Sequence, residues 1–559
     1  MTYVVMDIET TGLDRYKDKI NVVGVYLPQY EIYRYFYESQ PLQDFLNTIP
    51  EPFFVWQNGK FDTLFLETSW GTPLYPINMD VMILAYCLEM GERKGLKILA
   101  QRHLGVPDWD ISKKEKLKLS DSLLPYLECD LKYTWQVGCK LMHDAMTHPE
   151  SERILKLYNG IALPSYLTYR NVERRGIQVD IARLQQMIPE YNARSEALLA
   201  KLKQVADINW NSTAQVQEVL IGQMGLPVLK RTQKGVPSID AEVLKDYAHM
   251  GYEIAKLLAE YKRVTKDMGT FLKPWLEKAV NGRLHPTFNV DTVRTGRTSC
   301  QDPNLQQVPR DKVLRTLFTA RPGYVLFECD YSQVELRIAA HYADEHKMKE
   351  IYNNNGDIHH NTATIVTGKE NVDKEERRKA KAVNFGFLYG MSAKKFVDYA
   401  KTSYGVYVTE AEATEIRNRY FAMYKDLNKW YANQKRLCVR DGGVYTLFGR
   451  FRALPEIYSD NYKDKGSAER CSINTPVQSS ASDILLSSMI EIDQTLPECW
   501  VVGTVHDSVL IEVPADKIEE YKTRIHHIMT HPQLLNYFGI KLSVPLEVDI
   551  GVGNWGAKE

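Results

Sequence analysis

The chain has 559 residues, of which 44% are apolar and 25% are charged, and its 70 basic and 71 acidic residues leave a formal charge of −1. This length exceeds one ordinary hydrophobic core, and the apolar content excludes a disordered protein. The balanced charge gives no general argument for a nucleic-acid partner, so such binding has to come from local basic clusters, of which there are four, at 377–381, 310–315, 230–234 and 450–452.

The sequence contains no apolar run of roughly 18 residues, the length that a membrane-spanning helix needs. Its first residues enter the strand-like VVMDIE without a basic region and a cleavage site. We therefore expect no membrane contact, no secretion and a cytoplasmic location. The 8 cysteines show no C-x-x-C spacing, which argues against a zinc site and a disulfide framework.

The first 145 residues alternate strand and helix patterns, which predicts an α/β domain built on a mixed sheet. The predicted strands are 3–8, 21–27 and 31–38; an apolar run follows at 52–56, and the predicted helices lie near 80–89 and 120–143.

The following residues, to about 285, are charge-rich and mostly helical in pattern, with a long helix at 182–206 that Pro189 is expected to interrupt. β character returns at 324–329 and at 500–513, on either side of a large helical insertion. The sequence thus predicts a second sheet that is split by the insertion.

Carboxylates recur in the first domain at spacings that suit metal binding. Asp7 and Glu9 lie two apart in a strand, which puts both on one side of the sheet. Asp62 lies in NGKFD, which follows the apolar run Phe53 to Trp56, and a separation of four stacks Tyr126 over Asp130 in a helix. Each motif alone is commonly structural, but together they supply what two-metal phosphodiester hydrolysis needs, with Tyr126 orienting the water. The set resembles the DEDD exonuclease superfamily, in the tyrosine branch found as proofreading domains of DNA polymerases.

Two further aspartates lie at predicted strand ends. Asp330 follows the strand VLFEC, and Asp507 lies in the predicted hairpin turn between WVVGTV and VLIEV. Carboxylates on neighbouring strand ends can share two magnesium ions. An ordinary turn aspartate is the alternative for Asp507 alone.

Between them, Asp373 and Glu376 have the spacing of a capping box. A helix that begins there carries cations and then aromatic rings at intervals of four, in one broad stripe: Arg377, Lys381, Phe385 and Tyr389. Such a surface suits a nucleoside triphosphate, with cations on the phosphates and rings against the base and sugar. An ordinary amphipathic helix explains the rings, but neither the cations in its first turn nor the glycines at 386 and 390.

The segments RRKAKAVNFGFLYGMS, DYSQVELR and VHDS resemble the three polymerase motifs of family A DNA polymerases, and TGRTSCQDPNLQQVP, GDIH and NTPVQ extend the likeness. The resemblance implies a multidomain α/β and α+β fold, with an RNase H-like exonuclease followed by a right-hand polymerase. The implied domains are an exonuclease at 1–145, a thumb at 146–290, a first part of the palm at 291–345, fingers at 346–445 and a second part of the palm at 446–559.

The resemblance also implies roles for individual residues. Asp330, Tyr331 and Asp507 would hold two Mg²⁺ ions, for which Mn²⁺ can substitute, and Lys381 would give a proton to the leaving group. The exonuclease carboxylates Asp7, Glu9, Asp62 and Asp130 would hold another pair. The nucleotide-binding residues would be His359, Arg377, Lys381, Phe385, Tyr389, Gln333 and Glu335, the last blocking a ribose 2′-hydroxyl. The DNA-binding residues would be Arg297, Gln478, His506, Arg470 and Asn474.

One position departs from the family pattern, since Ser508 stands where many relatives have a glutamate; Glu512 shares its parity along the strand but is no obvious substitute. We expect activity to be retained, because both motif aspartates are present. A separate 5′-nuclease domain is not expected, and the short architecture favours a phage replicase. The expected partners are primer-template DNA, deoxynucleoside triphosphates and a processivity factor or replisome protein.

Three alternatives stay open at the level of sequence. A DEDD exonuclease with a DNA-gripping but non-synthesising carboxyl-terminal region explains the first domain only. A silent replication or structural DNA-binding subunit is expected to have lost a metal carboxylate, and none is missing. A reverse transcriptase or an RNA polymerase is closer, and Glu335 argues against RNA synthesis.

Overall fold

A computed structural model describes residues 1–116, 121–232, 234–310, 312–369 and 371–556, without the side chains of 113, 114 and 312. Within this part of the chain, no helix has the length and apolar character needed to cross a membrane. The strands are β1 Thr2–Thr10, β2 Ile20–Leu27, β3 Ile32–Phe36, β4 Pro52–Trp56, β5 Met79–Asp80, β6 Ile177–Val179, β7 Arg283–Leu284, β8 Thr287–Asn289, β9 Ser299–Gln301, β10 Phe318–Thr319, β11 Tyr324–Tyr331, β12 Gly443–Tyr445, β13 Phe451–Ala453, β14 Trp500–Val505, β15 Ser508–Pro514 and β16 Val548–Gly553.

Helices make up most of the remaining structure. In the first half of the chain they are α1 Ser39–Asn47, α2 Gly59–Trp70, α3 Val81–Leu88, α4 Leu96–Leu104, α5 Lys113–Lys116, α6 Leu123–Thr147, α7 Ser151–Leu157, α8 Leu163–Arg175, α9 Ile181–Val205, α10 Thr213–Gln217, α11 Ala241–His249, α12 Glu253–Lys266 and α13 Lys273–Lys278. In the second half they are α14 Lys312–Arg315, α15 Val334–Ala343, α16 His346–Asn353, α17 Ile358–Thr367, α18 Lys374–Leu388, α19 Ala393–Tyr404, α20 Glu410–Met423, α21 Lys425–Asp441, α22 Tyr462–Thr495, α23 Ile518–Thr530 and α24 Gln533–Tyr537. Single π-helical turns lie at Tyr158–Ala162, Glu218–Gln223 and Asp267–Leu272, and 3₁₀ turns at Leu305–Gln307 and Pro455–Tyr458.

The amino-terminal domain is built on a mixed sheet in the order β3-β2-β1-β4-β5. β2 pairs with β1 and β3 in antiparallel fashion, whereas β4 runs parallel to β1 and β5. The predicted strands and the mixed sheet are therefore confirmed. The predicted helices correspond to α3 and α6, although residue 120 lies outside the described residues.

The predicted interruption at Pro189 is wrong, because α9 continues through this residue. Pro189 is exposed, so the carbonyl that loses its intrahelical partner faces water and the proline is tolerated within the helix.

The second sheet has the antiparallel order β14-β15-β11-β16. The chain leaves this sheet after β11 and returns to it at β14, which confirms the predicted split. Leucine, isoleucine and valine side chains of β15 are buried, because α22 and α23 cover this sheet.

A single apolar core extends from Val4 in the first sheet to Trp555 beyond the second, and a separate core joins residues between Leu198 and Val264. The helical region that carries the separate core approaches α19, where Lys401 Nζ lies 2.7 Å from Asp246 Oδ2 on α11. The domain boundaries given above stay predictions.

A buried ion pair joins the first domain to the rest of the chain. Lys60 at the start of α2 donates to Glu173 Oε1 on α8 at 2.5 Å and to the carbonyl oxygen of Phe288. Glu173 also accepts from the backbone N–H of Phe288 at 2.7 Å, and both charged side chains are almost completely buried. The domain is thus fixed by paired charges as well as by apolar packing.

Candidate active sites

A cleft of about 950 Å³ opens between the second sheet and the helices of the insertion. Asp330 lies near the end of β11, opposite Ser508 of β15 and Asp549 of β16 in the strand register. Asp507 lies in the tight turn after β14, as predicted, and its carbonyl oxygen accepts from the backbone N–H of Tyr331 at 3.2 Å. Both predicted aspartates therefore line one wall of the cleft.

Polar side chains near these two aspartates form hydrogen bonds and ion pairs with other parts of the protein. The Tyr331 hydroxyl lies within 2.6 Å of Ser488 Oγ and donates to the carbonyl oxygen of Met529, so only its backbone is available to a metal. Ser508 donates its hydroxyl proton to the carbonyl oxygen of Val505 at 2.9 Å, which closes the turn. Glu512 is buried, 2.7 Å from Arg283 at the far end of β15. Glu512 is not among the residues that line the described cleft. This agrees with the expectation that it does not substitute for a glutamate at position 508.

The opposite wall carries the predicted cations and rings. Both hydrogen bonds of the capping box at Asp373 and Glu376 are present, so α18 begins as predicted. Its stripe faces the cleft, but Tyr389 lies just beyond the helix, which ends at Leu388 before Gly390 with a φ of 67°. The continuous stripe of four is therefore wrong in its last member, although Tyr389 still lines the cleft.

The cations of this wall have different electrostatic surroundings. Arg377 forms a 2.7 Å ion pair with Asp357 Oδ2. Loss of water in the cleft, and then repulsion from Arg310 and Arg377, lowers the pKa of Lys381, while attraction to Asp330 opposes the shift.

His359 is held by a buried network that the sequence did not reveal. Its Nδ1 accepts from Asn384 Nδ2 at 2.9 Å, and Thr362 donates to Asn384 Oδ1 at 3.0 Å. The Thr362 hydroxyl lies 3.0 Å from the hydroxyl of Tyr424, and Asn384 is fully buried. An amide nitrogen only donates, so Nδ1 is the accepting nitrogen and the ring proton lies on Nε2. Burial lowers the pKa of His359 to about 4, which keeps this tautomer neutral.

Glu335 lies at the floor of the cleft and is anchored on both sides. Arg297 donates to its Oε1 at 2.5 Å, and the hydroxyl of Tyr389 donates to its Oε2. Arg297 also lies 3.9 Å from Asp507 Oδ1. Gln478 on α22 interacts with Tyr389, which places it next to this group.

The other predicted residues of this region are distributed more widely. His506 lies in the turn before Asp507 with a φ of 56°, and Gln333 accepts from the hydroxyl of Tyr352 at 3.1 Å; both line the cleft. Phe385 lies beside His359, with ring centres 6.0 Å apart. Arg470 and Asn474 lie nearer to the start of α22 than Gln478 and are not among the residues that line the described cleft.

Some residues of the predicted basic clusters line the cleft, whereas others form ion pairs within the protein. Arg310 and Arg315 line the cleft, whereas Asp311 and the side chain of Lys312 lie outside the described residues. Lys230 pairs with Asp240 and Glu242, 2.9 and 2.6 Å away. In the cluster at 450–452, Arg450 is buried against Asp483, at 2.8 Å, so this residue is structural.

Sequence reasoning missed Asp549, which faces Asp330 across the β11–β16 pair and lines the cleft. The alternating segment LEVDIGVG is a strand signal that could have drawn attention to it. Its position opposite Asp330 depends on the pairing of strands more than 200 residues apart, which the segment does not specify.

A second acidic site lies at β1 in the first domain. Oxygen atoms of Asp7, Glu9 and Asp130 lie within 4.8 Å of one another. Asp62 accepts from the backbone N–H of Ile8 at 3.1 Å, beside the same group. The predicted carboxylates are therefore brought together by β1, α2 and α6.

Burial and mutual repulsion dominate the electrostatics of this acidic site. Burial, followed by repulsion from Asp62 and other carboxylates, raises the pKa of Asp7 well above its usual value. Burial and then repulsion from Asp130 raise the pKa of Glu9 to about 7. Burial and the neighbouring carboxylates also raise the pKa of Tyr126, whose phenol is neutral.

A lysine that sequence reasoning missed contacts this acidic site. Lys97, in the first turn of α4, donates to Asp130 Oδ1 and Oδ2 at 2.6 and 2.7 Å and to the Tyr126 hydroxyl at 2.6 Å. Trp109 Nε1 also donates to Asp130 Oδ1, at 2.7 Å.

Both sites fit divalent metal ions. Their ligands are carboxylate oxygens, which hard cations such as Mg²⁺ and Mn²⁺ prefer. The pKa values of Asp7 and Glu9 are raised first by burial and then by repulsion between carboxylates, and a bound cation would relieve this repulsion. In the cleft, Asp330 and Asp507 provide such oxygens beside cations suited to phosphate.

Comparison with known proteins supports the geometry. A family model described as DNA polymerase family A matches residues 181–557. DNA polymerase I of Pseudomonas aeruginosa is 31% identical over 596 residues, which cover 99% of this chain and 63% of that protein. The thermostable DNA polymerase I of Thermus thermophilus is 32% identical, over 89% of this chain and 58% of that protein. The chain thus spans roughly half to two thirds of the length of these curated relatives.

Among solved structures, the POL domain of Pol1 from M. smegmatis, in complex with DNA primer-template and dNTP, has a TM-score of 0.85 and 26% sequence identity. The match covers 99% of this chain and 95% of that one. The fold is therefore that of a polymerase of this group along nearly the whole chain.

Proposed function

Because the chain belongs to DNA polymerase family A, we propose that it is a template-directed DNA polymerase that adds deoxynucleotides to a primer 3′ end. We propose in addition that its first domain is a 3′–5′ proofreading exonuclease. The observation that carries the first proposal is the cleft in which Asp330 and Asp507 face Lys381 and His359. A protein that only gripped DNA would not need a carboxylate wall opposite a phosphate-binding wall.

Asp330, Asp507 and the backbone of Tyr331 would hold Mg²⁺, with Mn²⁺ as a substitute. When bound, such ions lower the pKa of the primer hydroxyl and offset charge on the phosphates. Lys381 and Arg377 would bind the triphosphate oxygens, and the lowered pKa of Lys381 suits donation of a proton to the leaving group. His359 would donate a hydrogen bond through Nε2 without adding charge.

Selection of the sugar rests on the anchored carboxylate of Glu335. Because Arg297 and Tyr389 hold both of its oxygens, the side chain cannot move aside at low cost to admit a 2′-hydroxyl. Phe385 would stack near the base and sugar, and Gln333 lies beside this group. We propose that Arg297, Gln478, His506, Arg470 and Asn474 contact the DNA.

The exonuclease proposal rests on the grouping of Asp7, Glu9 and Asp130 with Asp62 beside them. These residues would hold divalent ions, and Tyr126 would orient a water for attack on the terminal phosphodiester.

Primer-template DNA and deoxynucleoside triphosphates are the proposed partners, as in the solved polymerase complex, and DNA replication is the proposed process. A viral source, a processivity factor and a cytoplasmic location stay predictions.

A labelled primer-template with Mg²⁺, incubated with and without deoxynucleotides, tests both activities. The wild type should extend the primer when deoxynucleotides are present and shorten it when they are absent. Asp507→Ala should abolish only extension, and Asp7→Ala only shortening.

Asp516→Ala removes an exposed carboxylate just beyond β15 and serves as the control, which should keep both activities. A wild type that neither extends nor shortens DNA with Mg²⁺ or Mn²⁺ would overturn both proposals. Loss of both activities in each single variant would show that the sites are not independent.

A further inference from the structure

The exonuclease carboxylates are in contact with a cation of the protein itself. Lys97 places its ammonium group against both oxygens of Asp130 and the hydroxyl of Tyr126, within 2.7 Å of each. Because Trp109 donates to Asp130 Oδ1 as well, three of the roughly four lone-pair positions of this carboxylate accept hydrogen bonds. A metal ion that binds Asp130 has to compete with the Lys97 ammonium for this carboxylate.

The position of Lys97 is well defined by packing. Its ammonium lies 4.3 Å from the ring centre of Tyr126 and 5.2 Å from that of Trp109, so aromatic faces flank the charge. The Lys97 side chain is 23% exposed and that of Asp130 is 8% exposed, so water screens their attraction poorly. The charge also acts on Asp7 and Glu9, where it opposes the repulsion of the other carboxylates.

We propose that Lys97 is the resident counter-ion of the exonuclease site, and that a divalent cation reaches Asp130 only by displacing it. The inference rests on the proposed exonuclease and adds a control step to it. Metal loading of this site exchanges one cation for another, so its metal affinity is lower than the carboxylates alone would give.

Amine modification tests the displacement directly. The full-length protein is treated with an acylating reagent in EDTA and in Mn²⁺, and the labelling of each lysine is measured by mass spectrometry. Lys97 should be labelled slowly in EDTA and several-fold faster with Mn²⁺, because its three hydrogen bonds are lost. Lys140, which pairs with Asp144 on the outer surface of α6 at 2.5 Å, is the matched control and should not change.

Metal affinity gives an independent readout. Mn²⁺ binding is measured by electron paramagnetic resonance in chains that carry Asp507→Ala, so that the polymerase carboxylates contribute little. Lys97→Met should bind Mn²⁺ at least about tenfold more tightly, the scale on which neighbours of metal ligands change affinity. Lys97→Arg keeps the positive charge and should remain close to the wild type.

Thermal unfolding in EDTA verifies that each variant is folded. Unchanged labelling of Lys97 at saturating Mn²⁺, or wild-type Mn²⁺ affinity in a folded Lys97→Met, would overturn the inference. A different result would contradict the proposed exonuclease alone: Lys97 labelling rises with Mn²⁺, but the protein shortens no DNA.

Discussion

At the scale of single residues, His359 shows how buried neighbours decide the chemistry of a side chain in the cleft. Asn384 and Thr362 fix the proton on Nε2, and burial lowers the pKa of the ring to about 4. The groups that face the ring are Asp357, which favours the charged form, and Lys381 and Arg377, which oppose it. His359 therefore remains a neutral hydrogen-bond donor at physiological pH.

Replacement of Asn384 should make nucleotide binding depend on pH. In Asn384→Asp, the new carboxylate accepts a hydrogen bond from Nδ1–H of the imidazolium and favours this charged form, which raises the pKa of His359. The KM for deoxynucleotides should then vary between pH 5.5 and 8, while the wild-type KM varies little in this range. In Asn384→Ala, the ring loses its orientation and the KM should rise roughly tenfold, about 1.4 kcal/mol.

The pKa of His359 also predicts how its contribution to the free energy of unfolding depends on pH. The folded pKa of His359 lies below the usual 6.5, so the unfolded chain binds more protons between pH 4 and 6.5. The contribution of His359 to the stability of the wild type should therefore fall as the pH falls through this window, and Asn384→Asp should lose less of this contribution. A KM that is independent of pH in Asn384→Asp would contradict the role assigned to the network.

Lys97 and Asn384 illustrate why some site residues are invisible in the sequence. In the proposed exonuclease site, strand periodicity relates Asp7 to Glu9 and helix periodicity relates Tyr126 to Asp130, so these pairs could be recognised in the sequence. Lys97 belongs to another helix, and its contact with Asp130 depends on how α4 packs against α6. The segment GLKILAQRHL has the pattern of an ordinary surface helix.

At the scale of elements, α18 owes its position to a glycine. A Cβ atom at Gly386 would lie 2.7 Å from Cδ2 of Phe396 on α19, closer than any real contact, so the two helices pack tightly only because this side chain is absent. An ordinary amphipathic helix gave no reason for a glycine at this position. Helix packing supplies the reason without any direct role in substrate binding.

Gly386→Ala should push α19 away from α18 and destabilise the region around these two helices. The expected loss is about 1–3 kcal/mol, the cost typical of overpacking, which outweighs the gain in helix propensity. Denaturant unfolding measures the stability, and the KM for deoxynucleotides reports whether the stripe of α18 moves.

Gly466→Ala on α22 is the matched control. Its new Cβ would lie 3.5 Å from Arg470 Nη1, an ordinary contact, so propensity should dominate and stability should rise by up to about 1 kcal/mol. A Gly386→Ala protein as stable as Gly466→Ala would rule out the packing explanation.

Several elements were predictable because their signals are local: the strands β1 to β3, the capping box of α18 and the hairpin at Asp507. Two expectations about helices were wrong, one on exposure of a helix face and one on a glycine next to a helix end. Pro189 fits within α9 because its side of the helix is exposed, and Tyr389 leaves α18 because Gly390 adopts a left-handed conformation.

At the scale of the whole molecule, the first domain and the polymerase region share one apolar core, and Lys60 joins them through Glu173 and Phe288. Such an arrangement leaves little freedom for one region to move against the other. The sequence could not predict this interface, since its partners lie 113 and 228 residues from Lys60.

Lys60→Met should destabilise this interface strongly, because the carboxylate of Glu173 would stay buried without its partner. The expected cost is about 3–5 kcal/mol, and calorimetry should show a lower first unfolding transition. Adding Glu173→Gln should recover part of the loss.

Lys256→Met is the control, because its ion pair with Glu253 is exposed and should contribute less than about 1 kcal/mol. Equal unfolding temperatures for Lys60→Met and the control would argue against a locked interface.

A locked interface also constrains how errors would be corrected. With both proposed sites on one continuous core, the primer end has to travel from one to the other while the protein stays still. That journey requires terminal base pairs to separate, and a mismatched end separates at a lower cost than a paired one. Extension of the primer and removal of its last nucleotide would then compete kinetically. The rate at which the end of the duplex frays would decide between them, so a mismatched end would be removed more often than a paired one.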